Sequence, residues 1–104
     1  MWFSASLLFR SIHTVPDGVE LWEESICLVE ADTEAKALAK ASAIGHREQV
    51  SYVARGEDTV TWEFVQVERV FEIEGGQPSD GVELFSRFLR KSEVESLLKP
   101  FEES

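Results

Sequence analysis

The chain has 104 residues, of which 43% are hydrophobic and 29% are charged, and its formal net charge of −10 places the pI near 4.6. This length supports one hydrophobic core, so we expect a single domain over residues 1–104. The acidic excess disfavours nucleic acid and anionic membranes as ligands and favours basic partners. A single cysteine excludes an internal disulfide framework. With no secretory leader pattern and no long apolar stretch, we expect a cytoplasmic protein.

Two strands are predicted at the start of the chain, on either side of a turn. Residues 2–12 alternate in polarity, and their apolar odd-numbered side is expected to face the core. Pro16-Asp17-Gly18 has turn chemistry, because proline presets φ and glycine accepts positive φ. The returning strand, residues 20–31, is apolar on both sides in its second half, which predicts a central position in the sheet.

The clearest helical pattern covers residues 32–46. Asp32 can cap its N-terminus, Thr33 is a second candidate for the cap, and Gly45 is placed to end the helix. A side of small residues with one large anchor is expected to pack on the sheet: Ala35, Leu38, Ala39 and Ser42. A second stripe on the far side is either ordinary alanine propensity or a contact surface: Ala37, Ala41 and Ile44.

Three more strands and a short helix are predicted after the main helix. Residues 50–54 form a short strand, and residues 59–74 form a long one whose inward side changes near Phe64-Val65, which predicts a bulge or sharp coil there. Residues 82–89 are expected to be a fifth strand, and residues 92–99 a helix capped by Ser92. The fold class is therefore α+β, with a mostly antiparallel five-stranded sheet in the chain order β-β-α-β-β-β-α and the main helix on one face.

Several short motifs also carry a family resemblance. They are Trp2-Phe3-Ser4-Ala5 with Leu7-Leu8-Phe9, Leu21-Trp22-Glu23-Glu24-Ser25-Ile26, Val29-Glu30-Ala31 before the alanine-rich helix, Tyr52, Gly56-Glu57, Trp62-Glu63-Phe64 and Ser86-Arg87. With these motifs the chain resembles the bacterial domain-of-unknown-function 4288 family. The resemblance implies a small single-domain bacterial protein, and it brings no activity, cofactor or catalytic residue.

The candidate chemistry centres on adjacent glutamates. Glu23 and Glu24 point to opposite faces of a strand, so they cannot form a carboxylate pair for acid–base catalysis by themselves. One of them is expected to share a face with apolar residues and to need a cation, for which Arg10 and Arg87 are candidates.

The other reactive residue types do not form a recognisable site. His13 and His46 lack the close spacing of zinc ligands, and Cys27 lies in mid-strand among acidic residues. We therefore expect no metal and no cofactor.

The composition favours a non-catalytic protein–protein interaction module over an enzyme, with an acidic surface that binds a basic partner or a second copy. An inhibitor or immunity protein for a basic toxin is one concrete form. The alternative is a small-ligand binder or hydrolase that uses Glu23 or Glu24 with Arg10 and Arg87. The candidate binding residues are Arg10, Trp22, Glu23, Glu24, Glu68, Glu72 and Arg87. Glu68 and Glu72 are expected on one face of the long strand, as a surface that either steers a partner or only prevents aggregation.

The sheet is expected to leave apolar surface uncovered on the face away from the main helix, at Trp2, Leu8 and Trp22. A homodimer is the simplest cover. The competing cover is the terminal helix, which would fold back with Val94, Leu97 and Leu98.

Overall fold

The computed structural model describes residues 1–75 and 77–99. The elements in chain order are β1 (Trp2–His13), β2 (Trp22–Glu30), α1 (Glu34–Arg47), β3 (Val50–Val53), a 3-10 turn (Arg55–Glu57), β4 (Thr59–Ile73) and α2 (Lys91–Leu98). The strands form an antiparallel sheet in the order β2-β1-β4-β3. This confirms the α+β class, but the described sheet has four strands where five were predicted. No helix in the described part is long and apolar enough to cross a membrane.

The two central strands, β1 and β4, supply most of the core. As predicted, the odd-numbered side of β1 is buried, with Phe3, Ala5, Leu7 and Phe9 in one core cluster with small residues of α1. Phe64 of β4 lies directly opposite Phe9 and joins the same cluster. We call this side of the sheet the helix face and the opposite side the outer face.

β2 is an edge strand, so the prediction of a central position was wrong. One side of β2 packs into the core through Val29, with Cys27 half-buried beside it. The other side lies on the outer face, where Trp22, Ile26 and Leu28 are exposed by 54%, 52% and 46%. Apolar residues on both sides of this strand therefore reflect one packed side and one open side.

α1 starts at Glu34 with Thr33 as its N-cap, because the Thr33 hydroxyl accepts a hydrogen bond from the Lys36 backbone N–H at 3.1 Å. Asp32, the first predicted cap, lies outside the helix, with its carboxylate 3.7 Å from the Lys36 ammonium. The second of the two predicted candidates is thus the actual cap.

The predicted packing side of α1 was wrong. Ala37, Ala41 and Gly45 are the buried residues, whereas Leu38 is 46% exposed. The smallest side chains allow the helix axis to approach the sheet closely, and a leucine would hold it away. Gly45 does not end the helix; it lies so close to the sheet that a Cβ there would be 2.4 Å from the Phe64 ring.

β4 contains the predicted irregularity near Phe64-Val65. Between Leu8 and Phe9 the partner residue jumps from Gln66 to Phe64, so Val65 is an extra residue in β4. A second slip, between Ser6 and Leu7, leaves Glu68 as another extra residue. Such bulges change which side of the strand faces inward, and they allow one strand to be apolar on alternate sides along its length.

Residues 82–89 do not form the predicted fifth strand. They run in irregular conformation over the outer face, where the Ser4 hydroxyl donates to the Leu84 carbonyl oxygen. Phe85 meets Phe71 of β4 edge-on, with ring centroids 6.0 Å apart. The apolar residues of this segment cover a sheet face, so its alternating pattern did not indicate hydrogen bonding to a sheet edge.

α2 does not cover the outer face. It begins one residue before the predicted start, after Arg90, whose backbone N–H donates to the Glu93 carboxylate at 3.0 Å; Ser92 is not the cap. No residue of α2 is buried, and Val94, Leu97 and Leu98 are exposed.

Candidate functional site

The predicted site residues lie on two faces of the sheet. Arg10 is on the outer face, and its Nη2 donates to Glu63 Oε1 at 3.0 Å. Glu24 is on the same face, where its Oε2 accepts from the Ser6 hydroxyl at 2.8 Å. Glu23 pairs with Phe9 in the register and therefore belongs to the helix face. Arg87 lies beyond the sheet, with its guanidinium 5.8 Å from the centroid of the Phe85 ring. The structure does not gather these four side chains into one site.

The acidic residues of β4 also differ from one another. Glu68 is the extra residue of a bulge, and its carboxylate accepts hydrogen bonds from the Arg69 guanidinium at 3.2–3.3 Å. Glu72 is exposed and pairs with Phe3 in the register. Because Glu68 lies at a bulge, its spacing from Glu72 does not set a common strand face.

A cleft of about 620 Å³ opens on the helix face, at the C-terminal end of α1. Leu7, Phe9 and Trp62 form an apolar floor that spans β1 and β4. The two edge strands and the end of α1 form the walls, with β2 contributing Glu23 and β3 contributing Tyr52. Since α1 covers only part of the helix face, the uncovered part becomes a concave surface.

Polar groups surround this apolar floor. The Tyr52 hydroxyl accepts a hydrogen bond from the Trp62 indole N–H at 3.1 Å, which leaves the phenolic hydrogen available. Among the described residues, the Glu23 carboxylate has no hydrogen bond or ion pair. Burial, together with the negative charge of Glu48, raises the pKa of the Cys27 thiol. Cys27 is therefore protonated at neutral pH and is not an activated nucleophile.

Comparison with known proteins places the chain in a family. The matching family model covers residues 2–86, which include the whole sheet and α1 and end before α2. The chain belongs to the family described as Domain of unknown function (DUF4288). No curated protein and no solved structure matches it. DUF4288 membership assigns no chemistry to the chain.

This DUF4288 chain also contains a serine, a histidine and an aspartate in one hydrogen-bonded row. Ser11 Oγ lies 2.9 Å from His13 Nε2, and His13 Nδ1 lies 2.7 Å from Asp58 Oδ2. An ionised carboxylate only accepts hydrogen bonds, so Nδ1 carries a proton, and a neutral His13 accepts from Ser11 at Nε2. The atoms follow the order of a catalytic triad.

The surroundings of Ser11 favour a structural role for this row. Ser11 is buried, and its Oγ already accepts the Leu21 backbone N–H at 2.8 Å. Neither Ser11 nor His13 lines the cleft described above. A nucleophilic serine needs an approach path for the substrate and free N–H donors for the oxyanion. Here the Leu21 N–H already donates to the serine oxygen itself.

Asp58 anchors the loop after β1. Its Oδ1 accepts from the backbone N–H groups of Thr14 and Val15 at 3.0 and 3.4 Å. The hydrogen bond from His13 is the main reason why the pKa of Asp58 lies below its usual value, and these backbone N–H groups lower it further. Partial burial acts in the opposite direction.

Sequence reasoning missed both the cleft and this row. The available signal for the row was that Ser11 and His13 are two residues apart on a strand, so they share a face. Nothing in the sequence indicated Asp58 as their partner, because it is 45 residues from His13 along the chain and meets it only when the end of β1 pairs with the start of β4. The cleft depends on which side of α1 packs, and that side was predicted incorrectly.

Proposed function

We propose that this DUF4288 chain is a non-catalytic protein-binding module, and that the free edge of β2 binds a basic segment of a partner protein. The observation that carries the proposal is the combination of an open edge strand, an exposed apolar row and a run of sequence, residues 11–35, with seven acidic residues and no lysine or arginine. An inhibitor or immunity protein for a basic toxin is one biological form of such a module.

The backbone of β2 supplies the first part of the argument. β2 pairs with β1 on one side, and its other side has no strand partner among the described residues. An edge strand presents unpaired N–H and C=O groups, and an extended peptide can add to it as a further strand. Its nine residues, Trp22–Glu30, are long enough for several such hydrogen bonds, and only at the last of them, Glu30, does the carbonyl oxygen already accept from the Lys40 ammonium, at 2.6 Å, among the described residues.

The side chains of β2 supply the second part. Trp22, Ile26 and Leu28 form an exposed apolar row on the outer face. A strand added beside β2 would place its own alternate side chains against this row, and such cross-strand pairs contribute roughly 0.2–1 kcal/mol each.

Charge selects the partner. Residues 11–35 contain no lysine or arginine and seven acidic residues: Asp17, Glu20, Glu23, Glu24, Glu30, Asp32 and Glu34. Two copies joined through β2 would bring these carboxylates together, which costs free energy, whereas a basic segment is attracted to them. A basic partner therefore suits this edge better than a second copy.

The alternative function, a hydrolase or ligand binder that combines Glu23 or Glu24 with Arg10 and Arg87, has no comparable support. Glu24 and Arg10 are held on the outer face by Ser6 and Glu63, and Glu23 lies on the opposite face.

The test uses a synthetic peptide of alternating lysine and isoleucine, and a matched peptide of alternating glutamate and isoleucine. Binding is followed through the backbone amide signals of the isotopically labelled protein by NMR. We expect the basic peptide to shift signals along β2 and to bind more weakly at high salt, and the acidic peptide to leave them unchanged.

Two double variants identify the surface. Glu24→Lys with Glu30→Lys reverses charge on the outer face of β2, and Glu93→Lys with Glu95→Lys makes the same net change on exposed α2. We expect the first pair to weaken binding about tenfold and the second to change it less than about twofold at low salt. Equal effects of both pairs, or a dimer in light scattering that occupies β2, would contradict the proposal.

A further inference from the structure

The cleft at the end of α1, one wall of which is the helix-face side of β2, has the size and lining of a small-molecule site. Its volume of about 620 Å³ lies within the usual range of ligand pockets, about 300–1,000 Å³. Phe9 and Leu7 in its floor are buried side chains held by the core, so the floor is rigid. Trp62 adds an aromatic side chain whose indole N–H is fixed by Tyr52.

The charges around the cleft favour a cation. The C-terminal end of a helix carries a partial negative charge, and α1 ends at the cleft with Arg47 and Glu48. Arg47 Nε lies 3.6 Å from Glu48 Oε1, so these two side chains largely offset each other. The Glu23 carboxylate on the opposite wall remains unpaired among the described residues.

We propose that this cleft binds a small organic cation with an aromatic body, such as an aryl-substituted primary ammonium ion. The aromatic body lies on the floor formed by Phe9 and Trp62, and the ammonium group donates to the Glu23 carboxylate. Burial is the main cause of the raised pKa of Cys27, and the negative charge of Glu48 is the second, so this carboxylate also contributes to a negative potential at the cleft. An anionic ligand would be repelled by this negative potential and by the partial negative charge at the end of α1, so its binding is disfavoured.

Three probes with similar bodies and different charges test the proposal: 2-phenylethylammonium, 2-phenylethanol and 3-phenylpropionate. Titration is followed by NMR through the Trp62 indole N–H signal, which is assigned with Trp62→Phe, and through the backbone amides of Ser25 and Tyr52. We expect the ammonium ion to move these signals to saturation. The alcohol should bind about fivefold more weakly, and the carboxylate more weakly still.

Glu23→Gln and Glu24→Gln form a matched pair, because the residues are adjacent and the same charge is removed on opposite faces. We expect Glu23→Gln to weaken binding of the ammonium ion about fivefold, with Glu24→Gln within about twofold of wild type. Both residues are exposed, so the variants should fold, and unchanged thermal midpoints verify this. Equal affinity for the ammonium ion and the alcohol, or no effect of Glu23→Gln, would overturn the proposal.

Discussion

Gly45→Ala tests how closely α1 lies on the sheet. In an exposed helix, alanine is more stable than glycine by about 1 kcal/mol. At Gly45, however, the new Cβ would lie 2.4 Å from Cδ1 and Cε1 of Phe64, about 1 Å short of a normal carbon–carbon contact. The Phe64 ring is buried and meets Phe9 and His46 edge-on, with centroid distances of 5.6 and 4.9 Å. The ring therefore cannot move without losing those contacts, and the helix must shift instead.

The size of the effect follows from two opposing contributions. Overpacking a core costs about 1–3 kcal/mol, and a shortfall of this size against a fixed ring belongs in the upper part of that range. Subtracting the gain in helix propensity of about 1 kcal/mol leaves a net loss of about 1–2 kcal/mol in the free energy of unfolding. For a domain of this length, that corresponds to a fall in Tm of roughly 4–16 °C.

Thermal and urea denaturation measure this loss. Ala39→Gly, at an exposed position of the same helix, serves as the control for propensity alone and should cost about 1 kcal/mol. In a Phe64→Leu background, Gly45→Ala should be less damaging, because the smaller side chain leaves room for the new methyl group. If Gly45→Ala instead stabilises the wild-type protein, as the same change does in an exposed helix, then α1 does not lie this close to Phe64.

Two further predictions concern the ionisable groups. Asp58→Asn should lower the thermal midpoint at pH 7 and make the loss of stability in acid less steep. The reason is that the pKa of Asp58 is lowered in the folded state, so its ionised form contributes stability above about pH 4, and this contribution is lost as the pH falls through the folded-state pKa. Denaturation at pH 7 and pH 3 measures both effects, and an equal pH dependence of the two proteins would refute this role. Cys27 should react slowly with iodoacetamide at pH 8, and Glu48→Gln should accelerate the reaction by lowering the pKa of the thiol. A rate unchanged by Glu48→Gln would show that the Glu48 charge does not reach Cys27.

Local features of this chain could be predicted from sequence where the alternation of apolar and polar residues had only one reading. The odd-numbered side of β1 has an unbroken apolar run, Phe3 to Phe9, whereas serines and Arg10 interrupt the other side, so its inward face could be predicted. The switch of polarity in β4 likewise required a bulge, because a strand with period two cannot change its inward side without an extra residue.

Features that depend on competition between surfaces could not be predicted. α1 has two weak stripes of small residues, and the choice between them rests on how closely each can approach Phe64, which is a property of the assembled core. The segment 82–89 alternates like a strand, but its residues are used to cover Phe71 and Ser4 instead of extending a sheet edge. The cleft depends on the first of these features, because it exists only where α1 leaves the helix face uncovered.

The proposed function gives the exposed acidic residues of β2 two purposes that follow from the same physics. A four-stranded sheet has two free edges, and an apolar edge such as β2 risks pairing with another copy of itself. Carboxylates along that edge make self-pairing unfavourable without closing the backbone hydrogen-bonding groups. A segment that brings lysine or arginine removes this penalty and gains the backbone hydrogen bonds and the apolar row together. Under the proposed function, the charge that protects the free chain against aggregation thus also defines which partner the edge accepts.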